Sequence, residues 1–285
     1  MIKIIFTQII KTLNKVYIKL FGIQSLFKLF DQISTNNKFN PLVGYYKNIG
    51  ILNSGNIYQT GESFFIEKIV NRYLSKNNLV FFDVGANIGD YSLFLNQIYP
   101  QAQIHAFEPN PNAFKKLSEK TKIVKNIIAN NYGLGEEKKQ IKLYSYKKMK
   151  NTQLGTCKKD ILNNLFDVKD QIISHKINIQ TLDYYCNERK IEKIDLLKID
   201  VEGYELAVLK GAKKILPKTR IIQFEFNEYN IFYKIFLKDF YDLLYPQFQL
   251  FRLDLKRLIP LGGYQTINEI FKFQNIIAIN QPKYD

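Results

Sequence analysis

The sequence predicts an α/β fold: a mostly parallel sheet with helices on both faces. Three observations carry this prediction. Short apolar runs at 79–84, 104–107, 194–199 and 220–226 have the length and composition of strands buried on both faces. Stretches of helical periodicity separate them. Glycine and proline punctuate the junctions: Gly85 closes the first run, Pro111 with Asn110 before it opens a helix, and Pro217 ends the helix over 204–215. Strand, helix and strand at this spacing build βαβ units with right-handed crossovers.

Taken in chain order, the first fifty residues hold seven lysines against Asp31 alone, a local charge of 7 − 1 = +6. Ile2, Phe6, Ile9, Leu13, Val16 and Leu20 recur in steps of three and four, while Lys11, Lys15 and Lys19 line another face, the pattern of a basic amphipathic helix. Such a helix can pack on the main domain, meet a partner helix, or lie on an anionic membrane surface through residues 1–33. No run reaches the roughly 18 apolar residues of a membrane span, and no cleavage site follows a compact apolar core. Gly50, Gly55 and Gly61 then place a boundary near residue 58, giving a helical extension over 1–58 and a main domain over 59–285.

Within the main domain, helical periodicity over 91–98 follows the first strand, and 247–253 and 275–279 read as edge strands that pair antiparallel. Between Lys138 and Lys159 stand eight lysines and no acid, with Tyr144 and Tyr146 alternating as on a half-exposed hairpin. The stretch 160–173 reads as an inserted helix placed to cover a site.

Composition narrows the function classes. With 46% hydrophobic and 24% charged residues, the chain is neither disordered throughout nor a disulfide scaffold. Two cysteines, Cys157 and Cys186, form neither a four-cysteine metal site nor a C-x-x-C pair, which suits a reducing cytoplasm. The 41 basic against 26 acidic residues give +15, which invites an anionic partner. Only five of the basic residues are arginine, the side chain favoured for reading bases and clamping phosphates.

In a doubly wound sheet, ligands sit beyond the carboxyl ends of the strands. The first such end carries Asp83-Val84-Gly85-Ala86-Asn87-Ile88-Gly89-Asp90, a glycine turn between strand and helix. The dinucleotide pattern G-x-G-x-x-G is absent, because Asn87 stands where its second glycine belongs. Asp83 also places a negative charge where a pyrophosphate would lie. The second strand ends on Glu108, twenty-three residues after Gly85 and positioned to accept hydrogen bonds from ribose hydroxyls. A ribose without a pyrophosphate points to S-adenosylmethionine (SAM), whose sulfonium and ammonium cations suit acids around the turn.

These segments, followed by Thr181-Leu-Asp183, Leu196-Leu-Lys198-Ile-Asp200-Val-Glu202-Gly203-Tyr-Glu205 and Val208-Leu-Lys210-Gly211-Ala, resemble the FkbM-type methyltransferases in order and spacing from about Gly61 to Ile279. The resemblance implies a class I, Rossmann-like, seven-stranded fold, SAM as donor, and O-methylation of a sugar, glycan or secondary-metabolite hydroxyl. Carried over by position, Asp83, Gly85, Ala86, Asn87 and Gly89 would form the methionine side of the SAM pocket. Glu108 would contact the ribose and Asn131 the adenine.

The fourth strand end, Asp200-Val201-Glu202, offers two carboxylates. In an extended segment, residues two apart face the same way, so both could point into one crevice. A positioned carboxylate can take the acceptor proton, a contribution of roughly 10² to 10⁴ in rate. One of the pair could instead cap the following helix or pair with Lys198, or the pair could share a divalent cation with Glu225 or Asn227. Glu225 at the next strand end is the further catalytic candidate. His105 reads as a packed residue, and His175 has no second histidine near it.

A rival reading is a nucleic-acid-binding protein or RNA methyltransferase on a SAM-type fold, suggested by +15 and the lysine run. Against it, carboxylates occupy the place after the fourth strand where a base-stacking aromatic would be needed. Nucleic acid is therefore the less expected partner.

Overall fold

The computed structural model describes residues 2–36, 40–74, 77–147, 155–165 and 170–281. Lys38, Lys148 and Lys150 of the basic stretches lie outside them. The chain divides into two compact units, Met1–Asn48 and Ile49–Asp285. Residues 49–58, assigned above to the extension, thus belong to the larger unit, where Ile51 is fully buried and bridges to Gln274.

The smaller unit consists of α1 (Ile2–Phe21), α2 (Ile23–Asn36) and α3 (Pro41–Asn48). Gly22, at φ +79°, makes the break between α1 and α2. No helix among the described residues is long and apolar enough to cross a membrane.

The larger unit begins with a continuous helical stretch of α4 (Glu62–Phe64), a π-helical turn (Phe65–Val70) and α5 (Asn71–Tyr73). There follow β1 (Val80–Val84), α6 (Asp90–Ile98), β2 (Gln103–Phe107), α7 (Pro111–Thr121), β3 (Ile127–Asn130), β4 (Gly133–Leu134) and β5 (Lys139–Tyr146). Next come α8 (Lys159–Leu165), β6 (Ile172–Gln180), α9 (Leu182–Arg189), β7 (Ile194–Ile199), α10 (Glu205–Lys210) and β8 (Thr219–Phe226). The unit closes with α11 (Tyr229–Tyr233), α12 (Leu237–Leu244), β9 (Phe248–Asp254), β10 (Arg257–Pro260) and β11 (Gln274–Asn280).

The main sheet has eight strands in the order β10-β9-β11-β8-β7-β1-β2-β3, not the seven expected. The additional strand is β10, a short edge piece paired antiparallel with β9; being only partly buried, it lacks the apolar run that marks the central strands. From β8 to β3 all pairings are parallel, and β11 pairs antiparallel with both β8 and β9, as the edge strands were expected to do. The sheet is mostly parallel, and the order in which the chain lays down its strands switches side between β1 and β7, the arrangement the resemblance implies.

Side-chain alternation explains why helices cover both faces. On β1, Phe82 and Val84 pack into one cluster with Leu182, Leu206 and Phe240, while Phe81 packs into another with Phe65, Leu95 and Leu117. Asn110 caps α7, its side chain accepting the N–H of Asn112 at 2.9 Å, with Pro111 in the first turn.

A second sheet, β4-β6-β5, stands apart from the first. Over 160–173, only Lys159–Leu165 is helical; Ile172 already belongs to β6, and 166–169 are outside the described residues. The helix expected over 204–215 is shorter, Glu205–Lys210, and Pro217 lies in a separate 3-10 turn (Leu216–Lys218).

Candidate active site

A cavity of about 600 Å³ lies at the carboxyl ends of β1, β2, β7 and β8. Gly85, Asn87 and Glu108 form one side of it, and Asp200, Glu202 and Glu225 another; Leu143, Ile177 and Ile179 of the second sheet supply an apolar wall.

The glycine turn is built by left-handed backbone. Gly85 has φ +86° and Asn87 φ +49°, a conformation that asparagine tolerates better than most side chains, so Asn87 can stand where a glycine was wanting. The Gly85 and Ala86 N–H groups both donate to the Phe107 carbonyl at 2.9 Å. A Cβ on Gly85 would lie 1.8 Å from the Asp200 carbonyl oxygen, so the turn and the loop after β7 are packed backbone to backbone.

Glu108 is 7% exposed and lines the cavity. Its two carboxylate oxygens accept the N–H groups of Asn87 at 2.9 Å and Asn110 at 2.7 Å. Each oxygen keeps a lone pair for a ligand hydroxyl. Burial, only partly offset by these bonds, pushes its carboxyl up to about 7.

The other expected contacts on this side are placed differently. Asp83 is fully buried beneath the turn, accepting the Ser92 hydroxyl at 2.6 Å, and is not among the cavity-lining residues. Ala86 is buried, and Gly89 opens α6 where a Cβ would meet Leu117 at 2.7 Å, so its role is helix packing. Asn131 is exposed and donates to the Glu108 carbonyl at 2.9 Å, fixing the end of β2.

The carboxylates at the opposite side are gathered as expected, though not by strand alternation. β7 ends at Ile199, and Glu202 has φ +55°, so Asp200 and Glu202 reach the cavity from a loop. Asp200 pairs with Lys198 at 2.9 Å, one of the alternatives the sequence leaves open. Burial opposes the Lys198 charge, yet Asp200, Asp83 and Glu62 around it hold the ammonium on. Glu62 is fixed by Thr60 at 2.8 Å and Gln223 at 2.6 Å.

Glu202 accepts a hydrogen bond from Tyr229, and no described ion pair reaches it. Among the described residues, the hydrogen bond to the Glu225 carboxylate is a long one from the Asn227 amide, at 3.3 Å. Burial, then the Asp200 charge, raises both carboxyls well above the ordinary range, and the Glu202 charge adds to the shift of Glu225. Among the described residues, no group of three or more His, Cys, Asp or Glu side chains is arranged to hold a metal ion. His105 is packed in the core, stacked on Phe82 and bonded to the Tyr185 hydroxyl at 2.7 Å; burial lowers it to about 4.

The model of the methyltransferase FkbM domain matches residues 83–253. The chain belongs to the FkbM methyltransferase family. Among relatives of this FkbM methyltransferase is 2-O-methyltransferase NoeI of Sinorhizobium fredii, 28% identical over 183 residues, covering 62% of this chain and 75% of that protein. Methyltransferase sdnD of Sordaria araneosa is 31% identical over 153 residues, 45% of this chain and 58% of that one. Hexuronic acid methyltransferase AglP of Haloferax volcanii is 29% identical over 146 residues, 50% and 54%. The chain thus spans little more than half the length of the last two. A solved FkbM methyltransferase from Methylobacillus flagellatus aligns at TM-score 0.45 with 15% identity, over 78% of this chain and 50% of that one. A Streptococcus mutans protein in complex with S-adenosylhomocysteine (SAH) aligns at TM-score 0.44 with 15% identity, over 80% and 99%.

The protein is therefore a methyltransferase, and SAM is the donor its family implies. The residues present suit that donor. Glu108 offers lone pairs at the cavity wall, and the buried Oδ1 of Asn87 has no partner among the described residues.

Sequence reasoning missed Glu62, Tyr229 and the β5–β6 wall, all joined to the site by long-range packing. Glu205 stands within the K-I-D-V-E-G-Y-E motif, whose pattern assigns it no role. The only signal for Glu205 was its place one residue after the D-V-E-G-Y turn, where a helix begins.

Proposed function

We propose that the FkbM methyltransferase transfers a methyl group from SAM to a hydroxyl of a sugar or related metabolite, with Glu202 taking the acceptor proton. When bound, SAM supplies an electrophilic methyl group at the carboxyl ends of β1 and β2. Asn87 and Glu108 hold its ribose side, and the Gly85 turn lets it approach the backbone. The acceptor hydroxyl lies between the donor and the acidic wall. As the oxygen–carbon bond forms and the carbon–sulfur bond breaks, the hydroxyl proton passes to a carboxylate oxygen of Glu202. Glu225 and Asn227 accept and donate hydrogen bonds to neighbouring hydroxyls, and the wall of Leu143, Ile177 and Ile179 excludes water.

The observation that carries this reading is the contrast between the two loop carboxylates: Asp200 is tied to Lys198, while Glu202 faces the cavity and, among the described residues, is met by a tyrosine hydroxyl and no cation. Asp200 orients and balances Lys198. The names of two relatives, a 2-O-methyltransferase and a hexuronic acid methyltransferase, support a sugar-type acceptor. A cytoplasmic site of action with peripheral contact to anionic membrane through residues 1–33 completes the proposal.

The test is transfer of labelled methyl groups from SAM into a panel of glycans and small hydroxyl compounds. Glu202→Gln keeps the shape but cannot take a proton. It should lose roughly 10² or more in kcat with little change in KM or in SAH affinity. Turnover near that of the wild type would remove Glu202 as the base, and loss of activity on chelation would place a metal in the mechanism.

A further inference from the structure

Glu202 sits in the left-handed region at φ +55° and is followed by Gly203 at φ +96°. For a residue with a Cβ this conformation is strained and persists only where the surroundings impose it. The surroundings here are identifiable. Glu205, in the first turn of α10, is 1% exposed, and its Oε1 accepts the N–H of Val201 at 3.0 Å and that of Gly203 at 3.1 Å. These two N–H groups flank Glu202 and converge on one oxygen because the backbone between them turns left-handed. From the other side the loop is closed by aromatic rings: a Cβ on Gly203 would meet the Tyr233 ring at 2.6 Å. The Asp200 carbonyl abuts Gly85, so the loop has a fixed floor as well. Glu205 does not itself line the cavity.

We infer that Glu205 is a positioning residue for methyl transfer: by gathering the N–H groups of Val201 and Gly203, it holds the loop that presents Asp200 and Glu202 to the acceptor. The inference rests on the reading of Glu202 as the base. Placement matters at this scale, because a shift of about 1 Å in a reacting group can cost on the order of 10²-fold in rate. The second oxygen, Oε2, is buried without a partner among the described residues, so one acceptor atom does the holding. Glutamine supplies that atom; methionine fills the same space without it.

The experiment compares Glu205→Met with Glu205→Gln in the full chain, reading amide hydrogen exchange, SAH affinity by calorimetry, and methyl transfer. In Glu205→Met, exchange at Val201 and Gly203 should accelerate about tenfold or more, and kcat should fall about tenfold to a hundredfold. SAH affinity should stay within about threefold. Glu205→Gln should restore both exchange protection and turnover to within about threefold of the wild type. If Glu205→Met does not fold, Glu205→Asp, which draws the oxygen back by one methylene, takes its place with the same expectations.

Two results overturn the inference: a folded Glu205→Met that keeps both its amide protection and its kcat, or a Glu205→Gln as impaired as Glu205→Met. If the wild type methylates nothing in the panel, the functional reading fails while exchange at Val201 and Gly203 still decides the role of Glu205.

Discussion

The two sides of the cavity spend their carboxylates differently. On the β1–β2 side, Glu108 is anchored by two backbone N–H groups, from Asn87 and Asn110, and Asp83 is sealed beneath the turn against Ser92. On the β7–β8 side, Glu202 and Glu225 crowd each other and Asp200 with a single buried lysine between them, and that lysine is committed to Asp200. A carboxylate held by fixed dipoles is suited to binding, since its position barely depends on what arrives. A carboxylate held among like charges gains from accepting a proton, which a base in methyl transfer must do.

The largest effect that would sharpen this contrast is expected on the binding side. Glu108→Ala removes the ribose acceptor and leaves the Asn87 and Asn110 N–H groups without their partner. SAH affinity should fall about tenfold to a hundredfold, by the roughly 1.5 to 3 kcal/mol of a hydrogen bond to a charged group. Calorimetric titration with SAH measures it, and an unchanged affinity would break the comparison.

A smaller effect concerns pH. Burial pushes the Glu108 and Glu205 carboxyls from 4.5 up to about 7. Over that interval the folded state binds more protons than the unfolded chain, so stability is greatest at the acid end and declines as pH rises through 7. SAH affinity should run the other way, rising through the same interval as Glu108 ionises and can accept ribose hydroxyls. Melting temperature without ligand, expected to drop by a few degrees between pH 5 and 8, and SAH titration at both values check the two trends. Parallel trends would mean that the ionised Glu108 does not serve the ribose.

The smallest effect on the cavity should come from deleting residues 1–33, which carry Lys11, Lys15 and Lys19. SAH affinity should stay within about twofold, while co-sedimentation with vesicles of anionic phospholipid should fall severalfold. Precipitation or loss of the cooperative melt would assign the segment to the fold of the enzyme and end the membrane reading.

How much of this was legible in the sequence depended on how local its cause was. The parallel strands β1, β2, β7 and β8 were readable because burial on both faces demands unbroken apolar runs such as Val80-Phe81-Phe82, whereas β3 (Ile127–Asn130), half-buried at the parallel edge, was not. The glycine turn and Glu108 were readable because they close strands and sit a fixed distance apart. β10 was not, since a half-exposed edge pair is stabilised by its neighbour more than by its own residues. Asp200 and Glu202 were correctly brought together for a wrong reason, the alternation of a strand that had already ended. The Glu205 clamp needs two N–H groups turned by positive φ at Glu202, which no residue pattern announces. The tie between Glu62 and Gln223, 161 residues apart, is set by the closed fold alone.

The apolar wall has a consequence for how such an enzyme can diversify. Leu143, Ile177 and Ile179 reach the cavity from a three-stranded sheet whose β5 and β6 fall between β3 and β7 in the chain, separate from the strands that carry the turn and the carboxylates. On the proposed reading, donor handling and proton transfer fall to segments on either side of this sheet in the chain, and the shape presented to the incoming alcohol falls to the sheet itself. Exchanging that small sheet between relatives would retune acceptor preference while leaving the reaction chemistry in place, a modular division that point changes along β7 and β8 do not offer.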